Sequence, residues 1–254
     1  MTMFESLLLG VVEGLTEFLP ISSTGHLILV SQIFGIEQSE SHKSFEIAIQ
    51  LGSILAVVAI YFRRFLGDFN LLGKLAVAFA PTGAVGFLLY KHIKTLFESG
   101  VAAYSLIIGG LVLIAIELFK KSEANTIAVE NITYKKAFAI GCAQCFSMIP
   151  GTSRSAATII GGLLCGLDRK TAAEFSFLLA VPTMLIATSY DLLKNYDKFS
   201  ANETANLLVG FITAFVVALV VIKTFLRFIS KINFIPFGIY RIAIGLLFIF
   251  IILR

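Results

Sequence analysis

Gly10-Val-Val-Glu13-Gly-Leu-Thr-Glu17-Phe-Leu-Pro20-Ile-Ser22-Ser23-Thr24-Gly25-His26-Leu-Ile-Leu-Val30 is the stretch whose reading decides the fold. It lies inside an apolar run, Met1–Phe34, that is long but interrupted near its middle by Pro20 and a hydroxyl cluster. A proline stops a helix and Ser or Thr starts one, so the pattern predicts two short helices around a break. A second apolar run, Lys136–Leu167, is interrupted in the same way by Pro150-Gly151-Thr152-Ser153-Arg154-Ser155. Backbone broken at membrane depth must be covered by protein or face a watery cavity, because lipid offers its N–H and C=O groups no partner. Two re-entrant helix–loop–helix hairpins account for both interruptions.

The composition places these hairpins in a membrane. Of 254 residues, 57% are hydrophobic and only 14% charged, with a mean hydropathy of +0.92. Water-soluble domains hold about 45–50% apolar and about 25% charged residues, so a soluble domain is excluded, and so is a disordered chain. The net charge of +4 is spread along the chain with no basic block, which disfavours nucleic acid and suits anionic lipid headgroups. The first basic residue is Lys43, so the charged start of a secretory signal is missing and Met1 is expected to begin the mature protein. Cys142, Cys145 and Cys165 build no disulfide framework and read as small packing residues.

Six further apolar runs, Ile47–Phe62, Leu75–Tyr90, Val101–Ile116, Phe175–Tyr190, Thr204–Ile222 and Ile242–Leu253, approach the roughly 20 residues that cross a ~30 Å hydrocarbon core. An internal repeat orders them. Pro20 precedes Phe45 by 25 residues, as Pro150 precedes Phe175, and Phe79 and Lys91 recur 132 positions later as Phe211 and Lys223. Gly10-Val-Val-Glu13 likewise resembles Gly141-Cys-Ala-Gln144. The expected fold is an all-α integral membrane protein, a polytopic helical bundle forming one domain over residues 1–254. It consists of two inverted-topology repeats, about 1–126 and about 127–254, each with one re-entrant pair and three transmembrane helices. Three crossings per half force the second half to insert upside down, and such folds place their site where two broken helices meet. Twelve basic residues (Arg63, Arg64, Lys74, Lys120, Lys121, Lys135, Lys136, Arg169, Lys170, Lys223, Arg227 and Lys231) fall on one side. Only six (Lys43, Lys91, Lys94, Lys194, Lys198 and Arg254) fall on the other. The positive-inside rule makes the first side cytoplasmic and points both termini outward.

Glu13 and Glu17 stand four apart on one helical face in a segment that otherwise reads as buried. Ionisable groups in a membrane cost ~2.5–3.5 kcal/mol each and mark functional sites or partnered networks. A divalent cation, Mg²⁺ or alternatively Ca²⁺, is the economical partner for two such carboxylates, with phosphate oxygens completing the shell; the structural alternative is solvation at the headgroup boundary. Ser22-Ser23-Thr24-Gly25-His26 reads both as a helix cap and as an anion cradle, since free N–H groups at a helix start attract phosphate. One of its hydroxyls is a potential nucleophile with His26 or Glu17 as base, and spacing alone does not choose among the three. In the second loop Arg154 offers a charged fork of donors matched to phosphate, while Gly151 lets backbone approach an anion. The alternative for Arg154 is an ion pair with Glu13 or Glu17. Arg241 reads either as snorkelling outward or as a phosphate holder. Carboxylates, hydroxyls, two helix starts and an arginine together suit a phosphorylated group, and the absence of G-x-x-x-x-G-K-[ST] excludes a Walker-type nucleotide site.

At Glu13-Gly-Leu-Thr-Glu17-Phe-Leu-Pro20-Ile-Ser-Ser-Thr-Gly-His26 and Pro150-Gly-Thr-Ser-Arg154-Ser155 the sequence resembles the bacterial undecaprenyl-diphosphate phosphatases, also known as bacitracin-resistance proteins. The resemblance covers essentially the whole chain. It implies a multi-pass enzyme of the bacterial cytoplasmic (inner) membrane that removes the terminal phosphate of undecaprenyl diphosphate. The product, undecaprenyl phosphate, is the lipid carrier reused in peptidoglycan synthesis. Bacitracin, which competes for the substrate, is resisted when such an enzyme is overproduced. The family needs a divalent metal, usually Mg²⁺, which agrees with Glu13 and Glu17 as ligands. Carried over, Ser22, Ser23, Thr24 and His26 belong to the hydroxyl loop, and Ser153 and Arg154 to the second phosphate-holding loop with Gly151, Thr152 and Ser155. Catalysis is assigned to Glu17, Ser23, His26 and Arg154, with Ser23 favoured over an activated water as nucleophile. The pocket is expected to open toward the outer face, with membrane lipids around it and a homodimer as an allowed assembly. The competing reading is a lipid-phosphate flippase or transporter, because inverted repeats with broken helices also build carriers.

Overall fold

A computed structural model describes residues 1–36, 39–89, 92, 96, 99–119, 127–195 and 201–252. Among them are ten α-helices and no strand. The first broken pair is α1 (Met3–Thr16) and α2 (Ser23–Ile33), followed by α3 (Glu40–Gly67), α4 (Phe69–Leu88) and α5 (Ser99–Phe119). The second is α6 (Tyr134–Gln144) and α7 (Arg154–Leu164), followed by α8 (Arg169–Asn195), α9 (Ala201–Phe228) and α10 (Ile235–Ile252). At 1.5 Å per residue, the 14 residues of α1 and the 11 each of α2, α6 and α7 are too short to cross a bilayer. The other six helices are long and apolar enough to do so, and they carry the six runs read from the sequence. Lys91 of the repeat, the ends Tyr90 and Leu253, and Lys91, Lys94, Lys120, Lys121, Lys198 and Arg254 of the charge tally lie outside the described residues.

Capping sets the helix starts. Thr2 and Glu5 form a reciprocal capping box on α1, Asp68 caps α4, Thr133 caps α6, and Asp168 accepts from the N–H groups of Lys170 and Thr171 at the start of α8. Helices α3 and α8 form the inner pair, and α4, α5, α9 and α10 turn most of their sides outward. Those outer sides are apolar, with Phe69, Phe87 and Phe119 among the most exposed side chains, as lipid requires. The main core packs Phe18 and Phe177 edge to face, with Phe175 and Leu178 around them.

Each broken pair leans on the other half. Helix α1 packs against α9, and α6 against α4. A Cβ on Gly10 would collide with the Gly210 carbonyl, and one on Gly141 with the Ala78 carbonyl, so both contacts need glycine for close backbone approach. Ion pairs tie one end of the bundle. Arg64, at the end of α3, meets Glu130 and also Glu174 of early α8; Arg169, at the start of α8, pairs with Glu117 at the end of α5. Glu117 also accepts from the Phe234 N–H just before α10. Helix α3 therefore ends where α8 begins, and α5 ends where α10 begins, an antiparallel relation that inverted halves require.

Candidate functional site

Both breaks open with a serine in an unusual backbone state. Ser22 caps α2 with φ 72° and Ser153 caps α7 with φ 74°, the two non-glycine residues with positive φ among those described. Each side chain accepts from the N–H three residues on, Gly25 and Ala156 respectively. Such conformations persist only where the surroundings hold them, and here they turn the starts of α2 and α7 toward one point. Glu17 lies there. Its Oε2 accepts from the Ser23 hydroxyl at 2.5 Å, and its Oε1 accepts from Arg154 Nη2 at 2.9 Å. Ser23 and Arg154 are the first residues of α2 and α7, so one carboxylate joins the two helix starts across the halves.

Arg154 is held on its other side by Ser176. Its Nη1 donates to the Ser176 carbonyl at 2.9 Å and reaches the Ser176 hydroxyl at 3.5 Å, while the guanidinium lies over the Phe18 ring. Its buried Nε makes no hydrogen bond. A buried donor left unused on a fixed guanidinium is what an incoming phosphate oxygen would take. Helix starts, a serine hydroxyl against a carboxylate, and a cation with a spare donor can bind a phosphoryl group and attack it.

Arg241 does neither thing expected of it. It is fully buried and so does not snorkel, and its five N–H donors go to five backbone carbonyls. Nε donates to Leu106, Nη1 to Pro20 and Thr152, and Nη2 to Ser105 and Gly151, all at 3.0–3.2 Å. With no donor left for a phosphate, it clamps the first break, the second break and α5 together. It supplies partners for carbonyls that broken helices leave unpaired at membrane depth.

Glu13 is the opposite case. It is fully buried, yet neither carboxylate oxygen makes a hydrogen bond. Glu17 and Glu46 add negative potential there, Arg154 adds positive, and the Ser53 hydroxyl, itself buried without a hydrogen bond, lies alongside. Among the described residues no three His, Cys, Asp or Glu side chains stand close enough to hold a metal ion. A carboxylate with two unused oxygens still fits Mg²⁺, which takes one or two protein carboxylates and fills its shell with water and phosphate oxygens.

The family model for bacitracin resistance protein BacA matches residues 6–247. An undecaprenyl-diphosphatase of Sulfurihydrogenibium sp. (strain YO3AOP1) is 59% identical over 249 residues, 98% of each chain. Proteins of the same name from Persephonella marina and Wolinella succinogenes are 59% identical over 254 residues, all of both chains, and 58% identical over 251 residues, 98% of both. The chain belongs to the BacA family. Its two breaks, with every site residue read from the sequence, fall inside the matched segment.

Within this BacA-family chain the structure brings Glu17, Ser23 and Arg154 into direct contact, with Glu13 one helical turn before Glu17. It does not bring the His26 ring into hydrogen-bond contact with Ser23. The His26 Nδ1 meets the Ser22 carbonyl at 2.7 Å, Nε2 meets the Tyr240 hydroxyl at 2.8 Å, and the ring stacks on Tyr240. The ring thus braces the Ser22 cap in place of touching Ser23. Ser155 is spent on structure, donating to the Phe18 carbonyl at 2.8 Å. Gly151 does not hold its backbone open for an anion. At φ 86° its Cβ position is filled by the Ala102 carbonyl, and its own carbonyl accepts from Arg241. Thr152 likewise gives its carbonyl to Arg241, and Thr24 sits half-buried on the first turn of α2. Sequence reading passed over Ser53, Ser176 and Tyr240. Each is a polar residue within an apolar, membrane-long helix, and that is the signal by which such residues are found.

Proposed function

We propose that the chain is a multi-pass membrane phosphatase that hydrolyses undecaprenyl diphosphate to undecaprenyl phosphate and inorganic phosphate. The observation that carries this reading is the single contact set Ser23–Glu17–Arg154, which unites a nucleophile, its base and an anion-binding cation at two helix starts. Ser23 Oγ attacks the terminal phosphorus while its proton passes to Glu17 Oε2. The bond from that phosphorus to the bridging oxygen breaks, and undecaprenyl phosphate leaves. Water then attacks the phosphoserine: as the phosphorus–Oγ bond breaks, Glu17 returns its proton to Ser23 Oγ and takes one from the water, phosphate leaves, and Glu17 loses that last proton to solvent. Arg154 turns its spare Nε donor to the phosphoryl oxygens, and the α2 and α7 starts orient them. A divalent cation, Mg²⁺ or Ca²⁺, would be held with Glu13 as a ligand, where it would neutralise diphosphate charge. His26 acts by fixing the Ser22 cap.

The enzyme belongs in the bacterial cytoplasmic membrane, with the two repeats inserted in opposite senses. Asn206, early in α9, donates to the Met1 carbonyl, and α9 leads to α10, which starts at the basic end. The first hairpin thus enters from the end opposite Arg64 and Arg169, which favours a pocket opening to the outer face. Bacitracin would compete there for the lipid diphosphate, the isoprenyl tail would stay among membrane lipids, and a homodimer is compatible with the outward apolar faces. Phosphate release from undecaprenyl diphosphate by purified protein in detergent tests the reading. Glu17→Gln, Ser23→Ala and Arg154→Ala should each lose about 10³-fold or more, and a brief reaction with terminally labelled substrate should leave label on Ser23. Full activity in any of the three variants overturns the mechanism, and no release by the wild type overturns the function in favour of a carrier.

A further inference from the structure

The two carboxylates of the first hairpin differ in what they have to spare. Both oxygens of Glu17 are engaged, one by Ser23 and one by Arg154, whereas both oxygens of Glu13 are buried and unused. Beside Glu13 on α3 lies Ser53, fully buried, with its hydroxyl equally unused. Two turns earlier on α3, Glu46 is near enough to add negative potential at the same carboxylate. One Glu46 oxygen is held at 3.1 Å by His42 Nε2, which also contacts the Ser31 hydroxyl at 3.0 Å, so the other oxygen lies outside that contact. Three unpartnered oxygens between α1 and α3, with a braced carboxylate behind them, form a seat for a hard cation and for nothing apolar.

We propose that the divalent cation sits between α1 and α3, on the Glu13 carboxylate and the Ser53 hydroxyl with Glu46 as the outer, water-holding carboxylate, and not between Glu13 and Glu17. This rests on the phosphatase reading and refines it. The site then has two poles. The cation pole on α1 and α3 takes one side of the diphosphate, and the Ser23–Glu17–Arg154 pole takes the phosphorus to be attacked. Glu17 is left free to accept a proton, which a metal-bound carboxylate does poorly. His42 and Ser31 are positioning residues that act through Glu46, as outer partners of metal ligands do.

The test is Mn²⁺ binding by the purified full chain in detergent without substrate, read as loss of the free-Mn²⁺ electron paramagnetic resonance signal. Glu13→Gln should weaken Mn²⁺ by about 100-fold, and Ser53→Ala and Glu46→Gln by about 10-fold each, while Glu17→Gln stays within about 3-fold of wild type. Ser53→Cys should tighten Cd²⁺ over Mn²⁺ by about 10-fold relative to wild type, whose own Cys142, Cys145 and Cys165 set the baseline. That variant decides the matter if either glutamate variant fails to stay monodisperse. The seat is overturned if Glu17→Gln weakens Mn²⁺ as much as Glu13→Gln while the α3 variants bind normally. An unchanged Cd²⁺ preference in Ser53→Cys, or no saturable Mn²⁺ site in the wild type, also overturns it. Phosphate release by the same wild-type sample separates the two readings: hydrolysis with Mn²⁺ binding indifferent to α3 sinks only the seat, and no hydrolysis sinks the function.

Discussion

Glu13 and Gln144 hold corresponding places in the two halves, 131 positions apart (144 − 13), and their surroundings correspond as well. Each is fully buried near the end of the first arm of a broken pair, and each lies beside a hydroxyl from the long helix that follows, Ser53 and Thr183, 130 apart (183 − 53). The amide is tied in: Gln144 Nε2 donates to Thr82 at 2.9 Å and to Thr183 at 3.2 Å, while the Thr183 hydroxyl donates on to the Leu179 carbonyl at 2.8 Å. The carboxylate has no hydrogen bond of comparable geometry. One half has closed its polar network into structure, and the other has left it open to a ligand. An open buried network is costly in a membrane, so the asymmetry marks the first half as the one with polar capacity left for a ligand.

Removing what holds the two halves in register should have the largest effect. Arg241→Leu strips five backbone carbonyls of their donor and should destabilise the protein by at least about 3 kcal/mol, abolishing hydrolysis with it. Arg241→Lys should rescue little, because one ammonium has three donors and no fork to span both breaks. Loss of monodispersity on heating in detergent reads the stability. A stable, active Arg241→Leu protein would show that the two breaks hold their shape without the clamp.

The comparison also breaks if the two polar positions are interchangeable. Gln144→Glu removes the Nε2 donor and buries a charge against the hydroxyls of Thr82 and Thr183, which should cost about 3 kcal/mol of stability. The reverse change, Glu13→Gln, should leave stability equal or higher, since an amide can bond to Ser53, while hydrolysis falls about 10²-fold. A stability loss from Glu13→Gln as large as that from Gln144→Glu would mean that Glu13 serves the fold alone.

Much of this was legible in the sequence because membrane folds are written in length and interruption. Six long apolar runs and two runs broken by proline already separate helices that cross from helices that do not. Glu13, Glu17 and Arg154 stood out because a charge in an apolar run needs a reason. The contacts between them were less legible. Nothing in spacing shows that Arg154 pairs with Glu17 and leaves Glu13 bare, since Ser176, which fixes the guanidinium, comes from a helix 22 residues further on. Arg241 was visible as an anomaly, yet its partners are carbonyls, which every residue carries and no sequence pattern reveals. His26 stands one helical turn after Ser23, but its ring is taken by the Ser22 carbonyl and by Tyr240, which lies 214 residues further along the chain and which no spacing reveals.

The smallest effect expected comes from that ring. Tyr240→Phe removes one hydrogen bond to His26 Nε2 and keeps the stacked contact, so it should cost about 1 kcal/mol of stability and a few-fold of phosphate release. His26→Ala goes further, because it also removes the Nδ1 contact that holds the Ser22 carbonyl at the strained cap. Ser153 keeps the same positive φ in the other half with no imidazole at hand: Ala157, 131 positions after His26 (157 − 26), occupies the corresponding place. The cap conformation itself therefore does not require a histidine. If His26 acts through the cap, then His26→Gln, whose amide also carries a donor, should recover a large share of the activity lost in His26→Ala, and the pH profile of phosphate release should stay that of the wild type. A profile displaced in Tyr240→Phe, or no recovery in His26→Gln, would place the imidazole in the proton transfer and take that task from Glu17.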